Sequence, residues 1–496
     1  MKNAFTRILS LLLVCSLVLA GCGSDVPSDT AENTTEPAET LNPYVLNTEG
    51  PFISNLSVGF GRVEISPTES TPLGGYGNSA ERLSQNIEDP LYATCITLTD
   101  SADNTVLLFS LDLISCFTEV MNAARQSVSD ETDIPVEAIM VAATSTHSGP
   151  DLGNTEDPAI ALYIESLKGW MVEAALSALE DRALTRVYIT STKTENLNFV
   201  RRYQLQDGSY AGDHFGSFQS APIAVHETEA DNQLQLVCFY RENKPDVILA
   251  NFQTHLYRNS SATDTDVTAD IIAPFRETME RTLGCHFAYF TGASGNVNPT
   301  SRIESENVTA NHIEQGQALA DYALAAYSSF REVPTTSVKI AKTVYNAKVD
   351  HTFSGWGSYA KEAMNYYAQN GELGGYGHIF QSSGIRNMDH LSTVITRSQM
   401  PAQQSINLYA ISLGDLAFVT VPFEMFDTNG MQIKAGSPYS MTFVLSSANQ
   451  KYSYLPSEAG FKHGGYEVDT TLFVRGTAEE LVTNYLGMLN SLYYGK

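Results

Sequence analysis

Four side chains with lone pairs to offer stand where apolar runs give way to polar residues. They are His147 in MVAATSTHSGP, His255 in VILANFQTH, Glu424 in LAFVTVPFE and Tyr454 in TFVLSSANQKYSY. Imidazole nitrogen and carboxylate or phenol oxygen are the donors that a zinc ion takes. Near neutral pH, imidazole and carboxylate present those pairs without strong competition from protons. A fifth run ends in the turn Gly295 to Pro299 of GASGNVNP, which carries Asn298. The candidates lie far apart in the chain, and a lone histidine is more often structural, so spacing alone leaves a metal site the minority reading.

What makes the set coherent is its common position at strand ends, where sheet proteins usually hold ligands. The run TVLLFSLDL, ending at Leu113, is continuously apolar, as expected of a strand covered on both faces. Asp112 inside it needs a partner, either beside the site or in solvent at the strand end. From Pro158 to about Leu179, apolar residues at Ile160, Tyr163, Ile164, Leu167, Met171 and Ala174 trace one face of a helix, with proline in its first turn. Strand, helix and strand then alternate, which argues for an α/β class. Thr477 and Glu480 are spaced as the capping box of a last helix. The adjacent pair Arg201 and Arg202 reads as a surface feature. The turn Gly74, Gly75 and Gly77 reads, by a small margin, as a plain tight connection.

Composition narrows the function classes. With 56 acidic against 29 basic residues in 496, the formal charge of -27 opposes binding to nucleic acid or to an anionic surface through charge. Residues 1–22 read as a lipoprotein signal peptide: Lys2 and Arg7 precede an apolar run from Ile8 to Ala20, too short to span a bilayer comfortably, which closes in Leu19-Ala20-Gly21-Cys22. That closing motif resembles a bacterial lipobox, in which Cys22 becomes the lipidated N-terminus. It places the protein on the outer face of the cell membrane. Residues 23–54, rich in Ser, Thr, Pro, Asp and Glu, read as a disordered acidic linker, and residues 55–496 as the folded body. In that body Cys95, Cys116, Cys238 and Cys285 show no zinc-ribbon or redox spacing and read as buried thiols.

Taken together and in order, GFGRVEISP, AATSTHSGP, NFQTH, GASGNVNP, VPFE and SYLPSEAGFKHGGYE resemble the neutral, non-lysosomal ceramidase family, whose members hydrolyse the amide bond of N-acylsphingosines. The resemblance runs from about Val58 to Glu467. It implies one large α/β catalytic domain of mixed β-sheets flanked by helices, with a zinc ion at its centre. The C-terminal immunoglobulin-like domain of the well-known ceramidases is not expected, because the chain ends one helix past Tyr466. By the same resemblance His255, Glu424 and Tyr454 are metal ligands, Tyr466 is a second active-site tyrosine, Arg201 contacts substrate, and His147 acts in catalysis or contacts substrate beside the metal.

Two departures bear on that expectation. Ser145 stands where the family has a further histidine ligand, and Asn298 where it has a serine often described as the nucleophile. Serine is a poor zinc ligand; zinc binding need not be lost if His147 or a carboxylate such as Asp151 moves in, but affinity should fall and the geometry change. Asn298 retains the ability to hydrogen-bond a substrate carbonyl or oxyanion. The expectation is therefore a membrane-tethered, zinc-dependent hydrolase of a lipid-like amide, with the aromatic and Gly-rich residues 353 to 390 read equally as part of its mouth or as an ordinary long surface excursion. The alternative is a non-catalytic, ligand-binding lipoprotein that keeps the ceramidase-like fold. The sequence leaves the acyl chain, the head group and the oligomeric state open.

Overall fold

Strands that are apolar along their whole length must be covered on both faces, and this requirement sets the layering. In a computed structural model, residues 44–48, 52–213, 215–258, 261–335 and 337–495 are described. The expected signal peptide with Cys22, and residues 23 to 43 of the expected linker, lie outside the described residues. A nine-stranded sheet runs in the order His286–Thr291, Val247–Phe252, Gln233–Arg241, Ala183–Lys193, Leu56–Glu64, Tyr92–Asp100, Thr105–Leu111 and Ile139–Ala143, with Arg331–Val333 paired to Ala183–Lys193. Its two outer pairs, Val247–Phe252 with His286–Thr291 and Thr105–Leu111 with Ile139–Ala143, are parallel. The rest of the sheet is antiparallel. A second sheet of four strands, Val338–Lys348, Gln403–Leu413, Leu416–Thr420 and Met441–Leu445, lies against it.

The alternation of side chains along one strand shows how the layers meet. Val106 and Leu108 join the cluster shared with Tyr409, Ile411, Phe418 and Phe443 of the second sheet. Their neighbours Leu107, Phe109 and Leu111 face helices Thr118–Thr132, Pro158–Glu180 and Ile272–Leu283. The far face of the second sheet packs Leu408, Val419 and Val444 against Leu481, Tyr485 and Leu489 of helix Thr477–Tyr494. The result is helix, sheet, sheet and helix, a mixed α/β architecture. Each fully buried leucine or phenylalanine in these layers stabilises it by roughly 1.5–3 kcal/mol.

Local signals account for several element ends. Helix Pro158–Glu180 begins at Asp157, whose side chain accepts from the Ala159 and Ile160 amides, with proline in the first turn; its expected face, Ile160 to Ala174, is buried. The last helix begins otherwise than its Thr477 and Glu480 spacing suggested. Gly476, at φ 92°, makes the turn, the Thr477 hydroxyl donates to the Val474 carbonyl at 2.7 Å, and Glu480 accepts from the Tyr345 hydroxyl at 2.6 Å. Thr477 is already helical, so its side chain lies in the wrong place to cap. The packed chain also starts upstream of residue 55: Leu46 is buried, and Tyr44 meets Tyr327 edge to face at 5.9 Å.

Asp112 faces neither solvent nor the candidate site. It is 1 % exposed, accepts both from the Tyr92 amide at 3.0 Å and from Arg276 at 2.7 Å, and so ties helix Ile272–Leu283 to the sheet. All four cysteines of the body are free and buried. Residues 353 to 390 run through a short 3-10 turn, Ser354–Trp356, the helices Gly357–Asn370 and Gly375–Ser383 and the start of Met388–Gln399, around a small core of their own. Arg276→Met would leave Asp112 buried and uncompensated. The expected loss is about 3–5 kcal/mol of unfolding free energy, read by urea denaturation.

Candidate active site

The strand ends do converge. After Ile139–Ala143 the chain turns through Ser145, at φ 70°, and the His147 amide donates to the Leu256 carbonyl at 2.9 Å. This places the two histidine rings 5.9 Å apart between centroids. Glu424 and Tyr454 lie opposite one another in a two-residue parallel bridge that also pairs Met425 with Leu455. From these positions His255 Nε2 comes within 3.2 Å of Glu424 Oε2 and 3.4 Å of Tyr454 Oη.

The other nitrogen of His255 fixes its tautomer. Nδ1 lies 2.9 Å from the Val297 carbonyl, which can only accept, so Nδ1 carries a proton. Nε2 therefore turns towards Glu424 either a lone pair or the second proton of an imidazolium. Burial alone would raise the Glu424 carboxyl, but the hydrogen bond and charge of His255, then Tyr454 and Arg201, outweigh it and hold the group at about 2. An ionised carboxylate facing an imidazole nitrogen calls for a proton or a cation between them. Two ligands bound tetrahedrally at zinc, each at about 2.0–2.1 Å, lie about 3.3–3.4 Å apart, close to the spacings seen. A backbone carbonyl on the remote nitrogen is also what metal-bound histidines usually have. The three donors thus fit zinc, though incompletely: among the described residues no three His, Cys, Asp or Glu side chains group closely enough to hold a metal ion.

The positions expected to complete the set do other things. Ser145 reaches the Ser447 hydroxyl at 3.5 Å, and Asp151 accepts from the Gly153 amide of its own turn. His147 is packed between Tyr76 and Tyr257, at 5.0 and 5.2 Å, and its Nδ1 is buried without a partner. Burial, then the charge of His255, pushes its pKa down to about 3, so the ring is neutral at physiological pH. The glycine turn read as a plain connection lies directly on it. A Cβ at Gly75, where φ is 121°, would come 2.7 Å from the His147 ring.

Arg201 and Arg202, expected at the surface, are 6 % and 0 % exposed. Glu467, itself fully buried, accepts from Arg201 Nε and from Arg202 Nη1, both at 2.8 Å. Arg201 also donates to the Gly295 carbonyl at 3.0 Å and lies over the Tyr454 and Tyr466 rings, at 5.3 and 5.9 Å. Tyr454 and Tyr466 meet edge to face at 5.4 Å. Burial raises the phenols of Tyr257, Tyr454 and Tyr466, so all three keep their protons. Asn298 donates from Nδ2 to Asp213 at 2.9 Å, while its Oδ1 is buried without a partner. Tyr257, Asp213 and Glu467 were not singled out in the sequence. Glu467 and Tyr257 had only adjacency as a signal, to Tyr466 and to the His255 strand end.

His147, Glu424, Tyr454, Tyr466 and Tyr257 remain partly exposed, so the cluster lines an accessible recess. Beside it a cavity of about 520 Å³ is lined by Tyr210, Phe215, Arg302, Arg386, Asn387 and Gly465. A larger cleft of about 970 Å³, along Lys193, Asp231, Lys434 and Thr442, contains none of the clustered donors.

Comparison with known proteins supports the architecture. The neutral ceramidase of Pseudomonas aeruginosa superposes with a TM-score of 0.67 at 16 % identity, over 89 % of this chain and 75 % of that one. A ceramidase complexed with C2 gives 0.66 at 15 %, over 89 % and 76 %. No family model matches the sequence, and no curated protein matches it. At this identity the likeness establishes the fold: the chain has the mixed α/β architecture of the ceramidase structures.

The buried ionic cluster has a pH signature. Burial alone would raise the Glu467 carboxyl, but the charges of Arg201 and Arg202 hold it below the usual carboxylate range. Its stabilisation is therefore present above the unfolded value of about 4.3 and is lost as pH falls through the lower folded value. Glu467→Gln should cost about 3 kcal/mol at pH 7. In urea titrations at a series of pH values, the gap from wild type should narrow once pH drops below about 4.

Proposed function

We propose that the protein is a ceramidase-like, zinc-dependent hydrolase of the amide bond in an N-acylsphingosine-like or other N-acyl lipid. Its tether would be lipidated Cys22, on the outer face of a bacterial membrane. The observation that carries this reading is the meeting of His255 Nε2 with Glu424 at 3.2 Å and Tyr454 at 3.4 Å, on a ceramidase fold. His255, Glu424 and Tyr454 would hold the metal. When bound, zinc supplies Lewis acidity, polarising a carbonyl and lowering the pKa of water to about 7.

The chain's own groups divide the remaining work. His147, neutral and beside His255, would accept a hydrogen bond from the attacking water, and the proton that this water loses would pass to the leaving amine nitrogen. Tyr466 keeps its phenolic proton and donates a hydrogen bond to the substrate carbonyl oxygen as charge grows there. Arg201, fixed by Glu467, holds the Tyr454 and Tyr466 rings and adds positive charge to the recess. Asn298, anchored by Asp213, offers Oδ1 to a donor on the substrate.

A second reading, a ligand-binding lipoprotein without catalysis, draws on Ser145, whose hydroxyl faces Ser447 where the family supplies an imidazole. Elemental analysis and an N-acyl lipid hydrolysis assay on the full chain and on Glu424→Ala separate the two. Close to one zinc per chain is expected in the wild type. The variant should lose it, with activity down more than about 100-fold, beyond the cost of losing an outer partner of a metal ligand. A wild-type chain that takes up no zinc and stays inactive when zinc is added would establish the second reading instead.

A further inference from the structure

Among the described residues, the three helices of residues 357 to 399 leave an apolar face without protein cover. Tyr366 and Tyr367 of Gly357–Asn370 and Ile379 of Gly375–Ser383 are 37 %, 40 % and 39 % exposed. The face is continuous: the Tyr366 ring lies 5.7 Å from Tyr376, one helical turn from Ile379, and Tyr376 stacks on Phe380 at 6.4 Å. Behind it Trp356 packs on Tyr359 and Phe380. Tyrosine and isoleucine on one surface, with a tryptophan packed behind them, match the chemistry of a lipid headgroup boundary, where an aromatic ring keeps its polar end wet and its body apolar.

Charge selects the occupant. The chain carries -27 overall, yet between residues 350 and 400 Asp350, Glu362, Glu372 and Asp389 stand against Lys361, Arg386 and Arg397, a formal charge of -1, with the buried Arg397 paired to Asp350 at 3.1 Å. The acidic body is repelled by an anionic surface, and this nearly neutral insert is the part that can approach a bilayer. The insert also borders the recess. Arg386 donates to Asp469 at 2.7 Å, on the short helix that begins with Tyr466, and Arg386 and Asn387 line the cavity of about 520 Å³ beside it. Among the described residues no helix is long and apolar enough to cross a membrane, so the contact would be peripheral.

We propose that the face formed by Tyr366, Tyr367 and Ile379 seats on a lipid bilayer and sets the recess against the membrane from which an N-acyl lipid enters. The proposal rests on the hydrolase reading for its substrate but not for the surface itself. Trp356 reports on it, because the only other tryptophan, Trp170, lies in helix Pro158–Glu180 against Tyr163. The full chain is reconstituted with phosphatidylcholine vesicles whose acyl chains are brominated, and tryptophan emission is followed. Quenching is expected in the wild type, and Trp356→Phe should remove most of it. The triple variant Tyr366→Ser, Tyr367→Ser, Ile379→Ser should escape quenching. It should also turn over a vesicle-embedded N-acyl lipid about tenfold more slowly, equivalent to about 1.4 kcal/mol, with a water-soluble short-chain N-acyl substrate unaffected.

Equal quenching in wild type and triple variant overturns the proposal. So does a wild type that forms dimers broken by the triple substitution, which would make a second copy the occupant. Quenching lost in the triple variant, with neither substrate hydrolysed by wild type, upholds the bilayer contact and removes the hydrolase reading alone.

Discussion

A carboxylate with no exposure to solvent is held between two arginines, and the geometry of the recess depends on it. Glu467 takes one hydrogen bond from Arg201 and one from Arg202. Desolvating such a group without partners would cost several kcal/mol per ion, so all three charges stay where their mutual contacts are best. Through Arg201 the constraint reaches the Gly295 carbonyl and the rings of Tyr454 and Tyr466. Through Arg202 it reaches Glu227 and the Gly460 and Gly464 carbonyls. One ionic cluster therefore fixes the Arg201 segment and the Gly295 turn, already joined by the short pairing of Phe199–Val200 with Val297–Asn298, against the chain around Gly460 to Glu467.

The main chain does the rest of the aligning. Val297 accepts from both the His255 amide and its Nδ1, the Gly295 amide donates to the Met425 carbonyl, and a Cβ at Gly295 would sit 2.2 Å from the Glu424 carbonyl oxygen. Asn296 and Asp427 exchange hydrogen bonds, Nδ2 to Oδ1 at 2.8 Å and amide to Oδ1 at 2.9 Å, closing the turn on the other side. Backbone held this tightly cannot relax when a side chain is changed. Chemistry at the donors is thus set by substitution of side chains on a fixed frame.

The layering and the strand-end histidines were legible in the sequence because both follow from local pattern. A fully apolar run demands two covered faces, and polar residues at its end have few places to go but the rim of the sheet. The burial of Arg201 and Arg202 was not legible. Their common partner Glu467 lies 266 and 265 residues further along, and an arginine pair carries no mark of what it will meet. Gly75 was misread for the same reason: its lack of a side chain matters only because His147 arrives from a distant strand. The Thr477 and Glu480 pair shows the opposite failure, a correct spacing displaced by one residue because Gly476 makes the turn.

Cys95, Cys116, Cys238 and Cys285 lie in the layers without a crosslink among them, and burial raises each thiol above its ordinary value. Thiols kept protonated and out of reach neither pair nor react readily with oxidants. The packed layers therefore hold together without a crosslink among these four, and an oxidant in solution has no ready access to them once the body is folded.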